Sequence, residues 1–361
     1  MTGALESYRY SAQQNATSPL VHLRLVTEHT LQQGLPGSPR MALHSVLLNL
    51  ITEKYAALRN YFQLPPVLPD ARLDNVERAI AEDGRTCSPA LIGWSWLYHC
   101  YVRDELAITQ EWFAAEGLVH VRSVRRYQDY VYDELVQELT ERERAANQRQ
   151  RRARLYAVLP SATPIRLIGR DAARAQLGQV LDGAETQHVQ IVGPTGIGKS
   201  SFVQEVIRER IDQDRVDEVL WIDAPRSAVD IQMAVFGLII RAPVVQSLHD
   251  YLVGNRIDIV VDGTQALSSE PVALQAVLTL LASATVFLIG SRYLALPDAQ
   301  ARVALRDLRP TEAKDLIRRE LRRQFPEELF SDDEVTAIWE ESGGNPQRVK
   351  DLLLGFHTVL A

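Results

Sequence analysis

The segment HVQIVGPTGIGKSSFVQEVIRERI (188–211) constrains the fold of this 361-residue chain more than any other. Its first residues read as a buried strand, and the residues after Gly198 read as an amphipathic helix. The turn between them, Gly193, Pro194, Thr195, Gly196, Ile197, Gly198, Lys199 and Ser200, has the spacing G-x-x-x-x-G-K-S. Glycines let successive backbone N–H groups face one point and so cradle an anion. The helix start behind them adds partial positive charge. Lys199 is expected to reach the β- and γ-phosphates of a nucleotide and the Ser200 hydroxyl to ligate Mg2+, with the loop through Ser201 forming the binding surface. A plain glycine turn is the bland alternative, and the strand–loop–helix setting argues against it. Lysine is otherwise rare: Lys54, Lys199, Lys314 and Lys350 are the only four among 39 Lys and Arg residues.

Beyond residue 164, short β-branched runs alternate with helical segments: HVQIVG (188–193), EVLWID (218–223), IDIVVD (257–262), TVFLIG (285–290) and VALRDL (303–308). The alternation predicts an α/β fold, a buried parallel sheet flanked by helices. Asp262 ends an apolar strand, where ligands gather in open parallel sheets. A carboxylate there is expected to hold Mg2+ directly or through water. Taken alone, Asp262 reads equally well as the start of a turn before Gly263. Gln265 and Ala266 follow where acids might stand, and neither can serve as a carboxylate base. A glutamine can still orient water. Hydrolysis is therefore expected to be slow unless Glu270 or Asp223 substitutes.

The order of these segments resembles a STAND-type nucleotide-binding domain. These are signal-transducing P-loop ATPases related to AAA+ proteins, with NACHT and NB-ARC branches. The likeness covers about residues 160–356. IRLIGRDAARAQLGQVL (165–181) is similar to the family's lead-in, which implies that Ile168, Gly169 and Arg170 lie near the adenine. FLIGSRY (287–293) is similar to the first sensor, which implies that Arg292 reads the terminal phosphate. LRDLRPTEAKDLIRREL (305–321) looks like the start of a helical lid, and SGGNPQRVKDLL (342–353) like the Gly-x-Pro element, which implies Pro346 against the base. The family's NACHT members often read Asp-Gly-x-Asp-Glu where this chain has Asp262 to Ala266. The resemblance implies a P-loop NTPase fold, ATP or ADP with Mg2+ as ligands, and Lys199, Asp262 and Arg292 as catalytic residues. It also implies a homo-oligomer in the triphosphate state whose N-terminal module transmits the result. Family members usually continue into a winged helix and a repeat array. This chain stops at Ala361, which implies a truncated chain or a separate sensor or effector partner.

With 46% apolar and 24% charged residues, the composition is that of a soluble globular protein of two or three domains. Its formal charge of -7 means that any nucleic-acid role needs a local basic patch. Two cysteines, Cys87 and Cys100, exclude a disulfide framework and a four-thiolate zinc site. They fit a reducing cytoplasm. No apolar run approaches the ~20 residues of a membrane span, and the N-terminus lacks signal-peptide regions. A cytoplasmic protein without a membrane partner is expected.

Residues 1–40 read as a poorly ordered arm, and 41–145 as an all-α module. Within that module Trp94, Leu97, Tyr98 and Tyr101 share a helical face, while the adjacent His99 and Cys100 diverge, so no metal site is expected there. Residues 106–139 outline a helix–turn–helix whose second helix carries Arg122, Arg125 and Arg126 beside Tyr127. Such a helix can enter the major groove of DNA, with Arg149, Arg151, Arg152 and Arg154 as a backbone clamp. Asp129, Asp133 and Glu134 would repel phosphate, and a solvated face or a protein-interaction module fits the same residues. Both readings stay open. An Arg-rich, then Pro-containing linker is expected over 146–164, the nucleotide-binding domain over 165–308, and the helical lid over 309–361. Three functions fit. One is a signalling switch that binds ATP·Mg2+ and hydrolyses it slowly. Another is an AAA+-type ATPase acting on DNA in transposition or loading, and the third is a nucleotide-binding scaffold without turnover.

Overall fold

The computed structural model describes residues 18–32, 39–67, 72–161, 167–183, 188–240, 247–296, 301–326 and 330–360. Residues 1–17 and 33–38 of the expected arm, 162–164 of the linker and 165–166 of the lead-in lie outside the described residues. The chain divides into two compact units, Met1–Arg151 and Arg152–Ala361.

The first unit is helical, with α1 Arg24–Gln32, α2 Pro39–Tyr61, α3 Leu73–Arg85, α4 Pro89–Leu97 and α5 Gln110–Glu116. Next comes α6 Val121–Ala157, so the Arg-rich part of the expected linker is helical to Ala157. α4 starts where the Ser88 hydroxyl accepts from the Leu91 amide (3.3 Å), with Pro89 in the first turn. Leu91 to Tyr101 are all buried, on every side rather than on the one face expected, as suits a helix apolar all round.

The expected arm is ordered over 19–32, as a 3-10 turn Pro19–His22 followed by α1. Val21 and Val26 are buried in the unit's core. The Glu143 carboxylate on α6 accepts from the amides of Arg24 (2.8 Å) and Leu25 (3.0 Å). That supplies from a distance the cap a helix start needs.

A buried polar cluster lies in this core. Arg59 donates to Asp83, Glu82 and the carbonyls of Pro65 and Ala79. The Tyr55 hydroxyl donates to Asp83 at 2.6 Å and lies 3.4 Å from His99 Nε2. Burial, then the charges of Arg103 and Arg59, hold the His99 imidazole down at about 3. Burial pushes the Asp83 carboxyl up to about 6 against the pull of Arg59. The two act oppositely in acid. An unfolded His takes its proton near ~6.5, so His99 favours the unfolded state as pH falls below that value. Asp83 takes its proton more readily when folded, so it favours the folded state as pH falls from about 6. Removing the histidine leaves the Asp83 effect unopposed. His99→Phe should therefore gain stability relative to the parent as pH falls from ~6 to ~4, by up to ~1.4 kcal/mol per pH unit. Urea unfolding at several pH values reads this, and an unchanged difference would contradict it.

Among the described residues the second unit contains five strands in the order β2-β3-β4-β1-β5: β1 His188–Val192, β2 Glu218–Asp223, β3 Ile257–Asp262, β4 Thr285–Gly290 and β5 Ala301–Ala304. All pairings are parallel. Its helices are α7 Asp171–Asp182, α8 Lys199–Asp212, α9 Ala228–Ile240, α10 Leu248–Gly254, α11 Pro271–Leu280, α12 Pro310–Gln324, α13 Asp332–Ser342 and α14 Pro346–Leu360. Alternate strand residues enter two cores. Ile191, Val260 and Phe287 pack with Phe202 and Val203 of α8, whereas Ile259, Val261 and Leu288 pack with Ile231 of α9 and Leu274 of α11. Burial on both faces explains the unbroken Val/Ile runs. The α/β architecture is as expected, but β5 ends earlier. Val303 lies opposite Ile191 and is buried, whereas Leu308 leaves the sheet and packs with Ala313, Leu316 and Ile168. Periodicity cannot separate an apolar residue in a strand from one packed under a helix.

Register aligns Asp223 with Asp262, Asp262 with Ile289, and Val192 with Gly290, so the loops after β1, β3 and β4 open on one edge. α12, α13 and α14 share a core of Ile317, Leu321, Val335, Ile338, Val349 and Leu353. Among the described residues no helix is long and apolar enough to cross a membrane.

Candidate functional site

At the end of β1 the chain turns through Gly196 (φ 79°) and Gly198 (φ 91°), left-handed conformations that suit glycine. α8 starts directly after, so its first amides have no helical acceptor. A cavity of about 320 Å³ opens here, within the usual size for small-ligand sites. Thr195 to Ser201, Asp262, Gly263, Gln265, Ile289 and Gly290 line it from the sheet edge. Leu308, Leu316, Arg319, Pro346, Gln347 and Lys350 line it from the C-terminal helices and their approach, and Leu167, Ile168 and Arg170 from the lead-in.

The Lys199 ammonium donates to the carbonyls of Gly193 and Pro194, each at 2.9 Å. Burial lowers its pKa, and the Asp262 charge opposes that shift. Burial raises the Asp262 carboxyl; a hydrogen bond from Ser200 lowers it, neighbouring Asp223 raises it again, and Lys199 lowers it. The Ser200 hydroxyl and the Asp262 carboxylate share the cavity wall, with Asp223 opposite Asp262 on the neighbouring strand. Hard oxygen donors of this kind fit Mg2+, which takes one or two carboxylates and completes its shell with phosphate and water. Among the described residues no cluster of three or more His, Cys, Asp or Glu could hold a metal by itself.

The other expected site residues are placed unevenly. Ile168 packs against the Leu308 and Leu316 cluster. Gly169 sits with its α-carbon facing the Glu312 carboxylate and does not line the cavity. Arg170, only 7% exposed, donates to the carbonyls of Arg306 (2.7 Å) and Ile197 (2.8 Å). It braces the loop while also lining the cavity. Gly193 and Pro194 contribute carbonyls to Lys199 rather than lining.

Arg292 is exposed and is not among the lining residues. The turn that carries it is pinned by Gln190 of β1, which accepts from the Leu294 amide (2.8 Å) and donates to its carbonyl (3.2 Å). Gln265 lines the cavity and Ala266 does not. Glu270 accepts from the Ala228 amide at the start of α9 (3.2 Å). Asp223, exposed, is the acid across from Asp262.

In the first unit Arg122, Arg125 and Arg126 are exposed near the start of α6. Arg125 donates to Gln110 (3.1 Å), and Arg126 lies over the Tyr127 ring (5.2 Å). Three of the expected clamp arginines face acids: Arg149 with Glu28, Arg152 with Asp214, and Arg154 with Glu218.

Sequence reading missed Arg319, Gln347, Lys350 and Asn345. Only Asn345 carried a signal, a polar residue just before a proline that starts a helix. The other three reach the cavity through the packing of α12 and α14, which no local pattern encodes.

No protein family and no curated protein matches the sequence. Similar solved structures include the Walker-type ATPase PABY2304 of Pyrococcus abyssi, at 15% identity and a TM-score of 0.38 over 53% of this chain and 67% of that one. Domain III of the Thermotoga maritima replication initiation protein DnaA gives 13% and 0.35 over 53% and 84%. The Aeropyrum pernix Orc1 protein in complex with DNA gives 19% and 0.39 over 55% and 62%, so less than two thirds of that chain is covered.

Proposed function

We propose that this chain is a STAND-like nucleotide-dependent switch that binds ATP or ADP with Mg2+, hydrolyses ATP slowly, and couples nucleotide state to self-association and to its N-terminal module. The observation that carries this reading is that Lys199, Ser200 and Asp262 line one cavity with the glycine-rich loop, and that the C-terminal helices line it too. Loop amides and Lys199 bind the polyphosphate, and Ser200 and Asp262 hold the metal. When bound, Mg2+ neutralises charge that develops on the transferred phosphoryl group. Ile168, Leu308, Leu316 and Pro346 offer an apolar seat for a base. The end of α6 and the residues after it pack on α8. Leu155 and Leu159 share a core with Phe202 and Ile207, and Gln204 donates to the Ser161 carbonyl at 2.6 Å. This contact supports a route by which the loop helix influences the segment leading to the N-terminal module.

Slow turnover follows from the residues after Asp262. Gln265 can orient water but cannot take its proton, Glu270 is engaged at α9, and Asp223 is exposed and is not part of the cavity lining. Converting Gln265→Asp together with Ala266→Glu should raise phosphate release by about a hundredfold, the lower end of general-base catalysis. Rapid release by the parent protein, or no gain in the double variant, contradicts the reading. Exposed Arg122, Arg125 and Arg126 favour, as a second reading, an ATPase acting on DNA. It requires binding to duplex DNA that weakens steeply with salt.

A further inference from the structure

Three successive carbonyls of the glycine-rich loop each accept a hydrogen bond from another part of the chain. The Asn345 side-chain amide donates to Thr195 O at 3.1 Å. The Gln347 backbone amide donates to Gly196 O at 3.1 Å. The Arg170 guanidinium donates to Ile197 O at 2.8 Å. A trans peptide is planar, so its carbonyl and the following N–H point in opposite directions. Holding the carbonyls of 195, 196 and 197 therefore fixes the direction of the N–H groups of Gly196, Ile197 and Gly198, of which that of Ile197 turns back to the Pro194 carbonyl at 3.4 Å.

Asn345 does this while serving α14. Its Oδ1 accepts from the amides of Gln347 (3.1 Å) and Arg348 (3.3 Å), which caps the helix. Asn345 is 8% exposed. The fit is close: a β-carbon on Gly196 would lie 2.6 Å from Gln347 Cβ and 2.9 Å from Asn345 Oδ1. One side chain thus joins the first turn of α14 to the tip of the loop.

We infer that Asn345 is a positioning residue that aims the loop amides at the phosphates, so nucleotide affinity and the docking of α14 depend on each other. The inference rests on the nucleotide-binding reading above. Coupling of this kind is reciprocal: a docked α14 tightens nucleotide binding, and bound nucleotide protects the first turn of α14.

The test separates the two jobs of Asn345. Asn345→Ser keeps a hydroxyl cap for α14 but is too short to reach the Thr195 carbonyl. Full-length parent and variant are titrated calorimetrically with ADP·Mg2+, and amide exchange over residues 347–352 is followed with and without it. The expected result is affinity about tenfold weaker, the upper range for one net hydrogen bond, with the unfolding midpoint little changed. The nucleotide-dependent slowing of exchange over 347–352 should also be lost. Equal affinity in parent and variant overturns the inference and leaves the parent reading standing. So does weaker binding that vanishes when corrected to the folded fraction, since that is a merely structural role. A parent protein that binds no nucleotide removes the underlying reading and the inference with it.

Discussion

Lys199→Ala is expected to weaken ADP and ATP binding by at least about a hundredfold while leaving the fold intact. Lys199 is the first residue of α8, and its ammonium sits on the carbonyls of Gly193 and Pro194 at 2.9 Å. A polyphosphate would take over this ammonium, exchanging two neutral acceptors for charged ones. Hydrogen bonds to charged groups contribute ~1.5–3 kcal/mol each, and ~1.4 kcal/mol is a tenfold change in affinity. Two such bonds therefore amount to a hundredfold or more. Stability should change little because the lysine's partners are backbone carbonyls of a surface loop, not core groups. Lys199→Arg is not a safe substitute, since a planar fork replaces a compact point charge. Calorimetric titration with ADP·Mg2+ and ATP·Mg2+ reads the effect. Affinity within threefold of the parent, in a variant with an unchanged unfolding midpoint, means that the lysine does not touch phosphate.

The loop could be read from sequence because its chemistry is local. Eight consecutive residues carry the turn, the amides, the ammonium and the hydroxyl, and the flanking periodicities place them between a strand and a helix. β1 to β4 were legible for a similar reason: a buried parallel strand is a short continuous Val/Ile run bounded by polar residues. What escaped depends on partners far along the chain. Arg292 follows a strand as a phosphate sensor should, yet its turn is fixed by Gln190, about a hundred residues earlier. α1 is capped by Glu143, which no window over residues 1–40 contains. Arg319 and Lys350 stand in arginine- and lysine-bearing helices with no local mark to distinguish them from solvated neighbours. Only the packing of α12 against α14 turns them toward the cavity. Gln265 shows the converse. Its identity was plain, and its presence in the cavity lining keeps the question of turnover attached to that one side chain.

Arg59→Ala should be the most damaging single change in the first unit, costing about 3–5 kcal/mol, the usual penalty for breaking a buried charge pair from one side. Asp83 is 1% exposed and Arg59 only 2%. Without the guanidinium, Asp83 keeps the Tyr55 hydroxyl as a donor but loses its counter-charge, and the carbonyls of Pro65 and Ala79 lose their side-chain donor. An unpaired buried carboxylate escapes by taking a proton. That raises its folded-state pKa further above the unfolded value, so the deficit should shrink as pH falls and grow as pH rises. The Arg59→Met, Asp83→Leu double variant removes both charges and should recover part of the loss, because well-packed apolar replacements avoid the desolvation penalty. Full recovery is not expected, since Glu82 and the two carbonyls still lack their donor. Amide exchange across Leu91–Leu97, the most enclosed segment of this core, is the sensitive measure. A loss of ~3 kcal/mol corresponds to exchange faster by about a hundredfold. If Arg59→Ala leaves those amides protected to within threefold, the pair is not what holds α2 and α3 together, and the apolar contacts of Leu50, Ile51 and Ile80 carry that load alone.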